Sequence, residues 1–113
     1  MTTEIPQLST LHAQERLLEG AILLDVRNAD EREAGFAPGS TFIPLPELAE
    51  RTGELDPAAE YVVACRLGGR SQAACELLAA TGFSVSNLDG GMQAWEAAGL
   101  PVVDESGDIG HII

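Results

Sequence analysis

The chain has 113 residues, with 18 Asp and Glu set against six arginines and no lysine, for a formal net charge of -12. That balance excludes a nucleic-acid binder, whose phosphate contacts need a basic surface, and a polybasic anchor on an anionic membrane. The length is that of one domain, and 45% hydrophobic residues with only 4% aromatics imply an aliphatic core.

Met1 opens a polar stretch, so the sequence predicts no signal peptide, no membrane span and a cytoplasmic setting. Residues 10–19 follow Ser9 as an N-cap and stop at Gly20, which predicts a first helix. The apolar run 21–24 is short for a helix and reads as a strand covered on both faces. A short helical turn at 30–34 follows Asn28, and a second strand is predicted at 41–43. Pro46 opens a helix over 46–51, a position where a missing N–H costs little. A third strand is predicted at 61–64. The helix expected over 71–81 places Ala74, Cys75 and Leu78 on one buried face and ends at Gly82. A fourth strand at 85–88 and a helix at 92–98, closed by Gly99 and Pro101, complete the pattern. Strands alternating with helices predict an α/β domain with a mainly parallel sheet. Residues 104–113 read as a mobile tail.

The chemistry concentrates after the third strand, in Cys65, Arg66, Leu67, Gly68, Gly69, Arg70 and Ser71. A buried strand ends on a cysteine, two glycines follow, and a helix begins. Functional sites in open α/β sheets lie beyond such strand ends. Gly68 and Gly69 allow backbone with positive φ, so the loop is able to curl its N–H groups toward one point. The first turn of the following helix adds unsatisfied N–H groups and a positive dipole end. Arg66 and Arg70 add charge at the rim. An ordinary thiol is only about 3% thiolate at pH 7, and about 2.7 kcal/mol of stabilisation makes it mostly thiolate. A helix N-terminus supplies about 0.3–2 kcal/mol, and a nearby arginine adds to it. Cys65 is therefore expected to be a reactive thiolate in an anion-binding cradle. Read without that loop, it is a small buried hydrophobe at a strand end.

The chain resembles the single-domain rhodanese family. Leu24, Asp25, Val26 and Arg27, with Glu31 after them, are similar to that family's D-V-R strand end. Gly35, Phe36, Ala37, Pro38, Gly39 and Ser40 resemble its G-H-I-P-G-A segment, which runs on into Ile43, Pro44 and Leu45. The cysteine loop is similar to C-x-x-G-x-R-S. Gly82 and Phe83 follow, then Asn87, Leu88, Asp89, Gly90, Gly91 and Met92 with Ala94 and Trp95, which resemble L-x-G-G-x-x-A-W. Gly99, Leu100, Pro101 and Val102 are similar to its usual ending. The resemblance implies a rhodanese-like three-layer sandwich over residues 1–103: a five-stranded, mostly parallel sheet with helices on both faces. It also implies sulfur transfer through a Cys65 persulfide, from a small anionic donor such as thiosulfate to a thiol, cyanide or protein acceptor. On that reading the cradle of residues 66–71 binds the donor, no metal or organic cofactor takes part, and the protein is a monomer or weak homodimer. Two positions depart from the family: Phe36 stands where it often has His, and Arg32 where it often has an aromatic. Neither lies in the cysteine loop, and the first bears on the pocket rim or on a packing contact.

Other residues carry two readings each. Asp25 and Arg27 either brace the cysteine loop from the next strand or form a structural ion pair, such as Arg27 with Glu31. Asp89 either reaches the pocket or makes the turn before Gly90. Cys75 is either a resolving thiol or a small buried hydrophobe. Its spacing from Cys65 is neither C-x-x-C nor a zinc pattern, and two cysteines are too few for a disulfide scaffold. Trp95 reads as a core anchor, His12 and His111 as solvated, and Asp30, Glu31 and Glu33 as a solvated face. Two competing functions remain. One is a non-turnover persulfide carrier or sulfur-relay module. The other, less favoured, is a cysteine phosphatase or arsenate reductase. Phosphatases of this type need arginine six positions after the cysteine, where this chain has Ser71.

Overall fold

A computed structural model describes residues 4–113. Five strands form one sheet in the order β1 (Gln7–Leu8), β5 (Ser84–Leu88), β4 (Glu60–Ala64), β2 (Ile22–Asp25), β3 (Thr41–Phe42). Every pairing between them is parallel, so the expectation of a mostly parallel sheet becomes an all-parallel one. The strand missing from the sequence reading is β1. Two residues carry no measurable period, and the strand is held by its neighbour: Asn87 N donates to Pro6 O at 2.8 Å and Asp89 N to Leu8 O at 2.8 Å.

The central strands alternate their side chains between two aliphatic cores, as the pleat demands. Leu24, Val63 and Cys65 join Leu48, Ala74, Cys75 and Leu78 on the face covered by α3 (Leu45–Arg51) and α4 (Gly69–Ala80). Leu23, Val62 and Ala64 join Ala13, Met92 and Trp95 on the other, covered by α1 (Thr10–Leu18) and α5 (Gly91–Ala97). The result is the expected three-layer sandwich. Among the described residues, no helix is long and apolar enough to cross a membrane.

Local chemistry sets the element ends. The Ser9 hydroxyl accepts from His12 N at 3.2 Å and starts α1 as expected. A short helix α2 (Ala29–Ala34) follows β2. The larger difference lies in α4, which begins at Gly69, two residues before the sequence reading placed it. Gly68 stands at its N-cap with φ +114°, so the left-handed residue is the cap itself, and Arg70 and Ser71 fall inside the first turn.

Residues 104–113, read as a tail, fold back on the domain. Asp104 and Asp108 close a tight turn, Asp104 N donating to Asp108 O at 2.9 Å. Val103 bridges Phe36 on one side and Ile109 on the other, and His111 N donates to Ala34 O at 2.9 Å.

Candidate active site

Cys65 leaves the end of β4 and is 1% exposed. Its backbone is gripped from behind by the start of α5: Met92 N donates to Cys65 O at 2.8 Å and Gln93 N to Arg66 O at 3.0 Å. Gly91, at φ +60°, lies so close that a Cβ there would stand 2.6 Å from Cys65 O. This contact explains the second glycine of the Asp89, Gly90, Gly91 turn.

From that base the loop curls over the sulfur. Gly68 N donates to Cys65 Sγ at 3.0 Å, and Ser71 Oγ lies 3.4 Å from it. Burial by itself pushes the Cys65 thiol up. The Ser71 hydroxyl, with the N–H groups of Ser71, Gly68 and Leu67, outweighs it and holds the thiol below its ordinary value. The groups that face the sulfur are therefore mainly hydrogen-bond donors. A pocket of about 300 Å³ opens over the sulfur, lined by Cys65, Arg66, Leu67, Gly69 and Arg70. A second cleft of about 240 Å³, lined by Leu17, Pro38 and Trp95 among others, holds no titratable side chain.

The two arginines of the loop have different fates. Arg70 is bound to Glu31 by two hydrogen bonds, at 2.6 and 2.9 Å. That pairing raises the affinity of Arg70 for its proton and lowers that of Glu31. Arg66 is exposed. Among the described residues it alone of the six arginines has no carboxylate partner, since Arg16, Arg27, Arg32, Arg51 and Arg70 are all paired. An arginine with no carboxylate partner among the described residues thus stands at the mouth of the Cys65 pocket. Leu67 beside it is 56% exposed.

Two expectations are corrected by this geometry. Glu31 is not part of a solvated face with Asp30 and Glu33: it is buried, accepts from Asn28 N at 3.0 Å and holds Arg70. Nor does Arg27 pair with Glu31. Arg27 is fully buried and donates twice to Asp25, at 2.9 and 2.7 Å, and once to Gly35 O at 2.7 Å. The Asp25–Arg27 pair therefore braces the end of β2 against Gly35, one strand away from the loop. Asp89 is exposed, at the turn into α5. Cys75 is buried, and burial pushes its thiol up to about 12. The two departures noted above meet each other: the Arg32 guanidinium stacks 3.8 Å over the Phe36 ring and donates to Ser40 Oγ at 2.8 Å. Their contact is one of packing.

One site residue escaped the sequence reading as anything but a motif letter. Asn87, on β5, is 3% exposed. Its Oδ1 lies 2.5 Å from Ser71 Oγ, and its Nδ2 donates to Gly68 O at 3.2 Å. An asparagine between Val85 and Leu88 of a predicted buried strand was the available signal, since a buried amide needs partners. Among the described residues, no three His, Cys, Asp or Glu side chains gather as metal ligands.

Residues 9–98 match the family model described as Rhodanese-like domain. The chain belongs to the Rhodanese-like domain family. Relatives of this rhodanese-like protein include YtwF of Bacillus subtilis, 37% identical over 100 residues that make up 87% of this chain and 97% of that protein. The thiosulfate sulfurtransferase GlpE of Ectopseudomonas mendocina is 34% identical over 84% of this chain and 88% of its own. Among solved structures, the rhodanese-related protein of Thermoplasma volcanium superposes with a TM-score of 0.83. It is 34% identical and covers 88% of this chain and 99% of its own. The chain thus shares the rhodanese-like fold with these proteins.

Proposed function

We propose that this rhodanese-like protein is a sulfurtransferase that carries sulfur on Cys65. The single observation behind this reading is the Cys65 sulfur itself, held below its ordinary pKa by the Ser71 hydroxyl and loop N–H groups and opening into a pocket with Arg66 at its mouth. The Cys65 thiolate attacks the outer sulfur of thiosulfate. A new S–S bond forms, the old one breaks, and sulfite leaves with its electron pair. The resulting persulfide carries its charge on the outer sulfur, where an N–H cradle favours it. A thiolate or cyanide then attacks that outer sulfur and returns the Cys65 thiolate. No proton, metal or organic cofactor enters the balance. Arg66 suits an anionic donor, and the relative named thiosulfate sulfurtransferase supports the same substrate class.

Incubation with thiosulfate followed by mass spectrometry tests the reading. One added sulfur on Cys65, thiocyanate formed from cyanide, and loss of both in Cys65→Ser are expected. No sulfur uptake overturns the proposal. A persulfide without thiocyanate turnover replaces it with the carrier reading.

A further inference from the structure

Asn87 holds the two groups nearest the Cys65 sulfur. Its orientation is set by acceptors: Nδ2 donates to Gln7 Oε1 at 2.8 Å and to Gly68 O at 3.2 Å. Gln7 is held in turn, since its Nε2 donates to Gln72 Oε1 at 2.6 Å. The amide therefore turns its Oδ1 to Ser71 Oγ, 2.5 Å away. A carboxamide oxygen only accepts, so Ser71 must be the donor there. A hydroxyl has a single proton, and the same Ser71 oxygen lies 3.4 Å from Cys65 Sγ. In the thiol form the order is S–H to Oγ, then O–H to Oδ1. A thiolate is a charged acceptor and draws the hydroxyl proton to itself. Meanwhile Gly68, whose carbonyl Asn87 anchors, gives its N–H to the sulfur at 3.0 Å.

We propose that Asn87 is a positioning residue of the sulfur site: it keeps the Gly68 N–H on Cys65 and withholds the Ser71 proton until the sulfur becomes charged. The inference rests on Cys65 being the reacting sulfur. Its two effects have opposite signs. Through Gly68, Asn87 favours the thiolate; through Ser71, it competes with the thiolate for a donor. The charge on the sulfur decides which acceptor Ser71 serves: the thiol proton leaves to solvent, and the Ser71 hydroxyl keeps its own proton and turns it to the thiolate.

The test is the pH dependence of Cys65 alkylation by iodoacetamide, read by mass spectrometry on the full chain. Four proteins are compared: the unchanged chain, Asn87→Leu, Ser71→Ala and the double variant. Leu keeps the branched shape and heavy-atom count of Asn and removes both polar ends. With Ser71 present, Asn87→Leu frees the hydroxyl for the sulfur as well as losing the Gly68 anchor, so its midpoint shift is the more downward of the two. With Ser71→Ala, only the loss of the Gly68 anchor remains and the midpoint moves up. The two shifts differ by about one pH unit, or roughly tenfold in thiolate at fixed pH, the size of one hydrogen bond to a charge. Equal shifts in both backgrounds overturn the proposal. Asn87→Asp is the second probe: it keeps an oxygen beside Ser71 and removes the donor. It is expected to raise the midpoint more with Ser71 present than absent, and an equal rise overturns the proposal. The charged and titratable groups on the elements around the sulfur are Arg66, Arg70 with Glu31, Asp25 with Arg27, Glu60, Tyr61, Cys75, Glu76, Asp89 and Glu96. All are common to both backgrounds and cancel in the comparison. Alkylation reads the thiol alone, so failure of sulfur uptake from thiosulfate, measured separately, defeats the transfer reading and leaves this result standing.

Discussion

Glu31 Oε1 and Oε2 lie 2.6 and 2.9 Å from Nη1 and Nη2 of Arg70, a paired fork between residues 39 apart in sequence. The contact ties α2 to the first turn of α4, where Ser71 faces the sulfur. It also removes Arg70 from the pool of free charge. Backbone N–H groups and the Ser71 hydroxyl thus face the sulfur, and Arg66 is the arginine of the loop that has no carboxylate partner.

The first prediction concerns this pair and acid. Arg70 holds the Glu31 carboxyl below its ordinary value of 4.5. A carboxylate with a depressed folded pKa stabilises fully above its unfolded pKa and loses that contribution as pH falls through the folded one. Glu31→Gln is expected to cost about 1 kcal/mol at pH 7, a figure kept small because the Arg70 side chain is 36% exposed. Urea denaturation across pH checks it: the two proteins should converge as pH drops below about 4.5. A difference that persists unchanged at low pH assigns the cost to packing.

The second prediction separates the arginines. Arg66→Ala is expected to raise KM for thiosulfate roughly tenfold, a loss of about 1.4 kcal/mol, with kcat little changed. Arg51→Ala serves as the reference, because Arg51 sits on α3 bound to Glu47 and Glu54. Steady-state kinetics at two salt concentrations decide the matter. Salt should weaken donor binding in the unchanged chain and in Arg51→Ala, and much less in Arg66→Ala. Equal KM values for the two variants defeat the assignment.

How much of this was legible beforehand follows from what each feature depends on. The α/β alternation and the cysteine loop are local: apolar runs of three or four, Gly68 with Gly69, and a helix start are written in consecutive residues. The partners of the arginines are not. Asp25, Glu31 and Glu33 are equally plausible carboxylates from spacing alone, and only the fold, which brings Glu31 of α2 within reach of Arg70 on α4, hands Glu31 to Arg70 and leaves Asp25 to Arg27. The two-residue β1 exists through its neighbour. The seat of residues 104–113 is equally nonlocal. Ser106, Gly107 and Gly110 signal turns, while the groove that receives them is set by Gly35, where a Cβ would stand 2.6 Å from His111 N.

The third prediction is a difference between two thiols. Cys65 is held below the ordinary thiol value, while burial pushes Cys75 up to about 12. At pH 7 a thiol titrating near 12 is thiolate in only about one molecule in 10⁵, and Cys75 is fully buried as well. Iodoacetamide at neutral pH is expected to modify Cys65 alone, with Cys75 reacting only in denaturant. Peptide mapping by mass spectrometry checks it. A Cys65–Cys75 disulfide after mild oxidation of the folded chain would instead make Cys75 a resolving thiol.

The fourth prediction tests the base of the loop. Gly91 has φ +60°, and a Cβ there would meet Cys65 O and the Arg66 carbonyl carbon at 2.6 Å. Both neighbours are backbone, so nothing flexible is available to yield. Alanine in the left-handed region costs about 1–2 kcal/mol by itself. The clash adds to it by prying α5 from the carbonyls that Met92 N and Gln93 N now hold. Gly91→Ala is expected to lose about 3 kcal/mol or more of stability and to lift the pH midpoint of Cys65 alkylation. The lift follows because a displaced Cys65–Arg66 backbone no longer presents the sulfur to Gly68 N–H at 3.0 Å. Gly99→Ala is the control. It carries the same strain, at φ +78°, with open space around it, and should lose stability through strain alone while leaving the thiol midpoint in place. If both variants leave the midpoint unchanged, the grip of α5 on the loop does not set the chemistry of the sulfur.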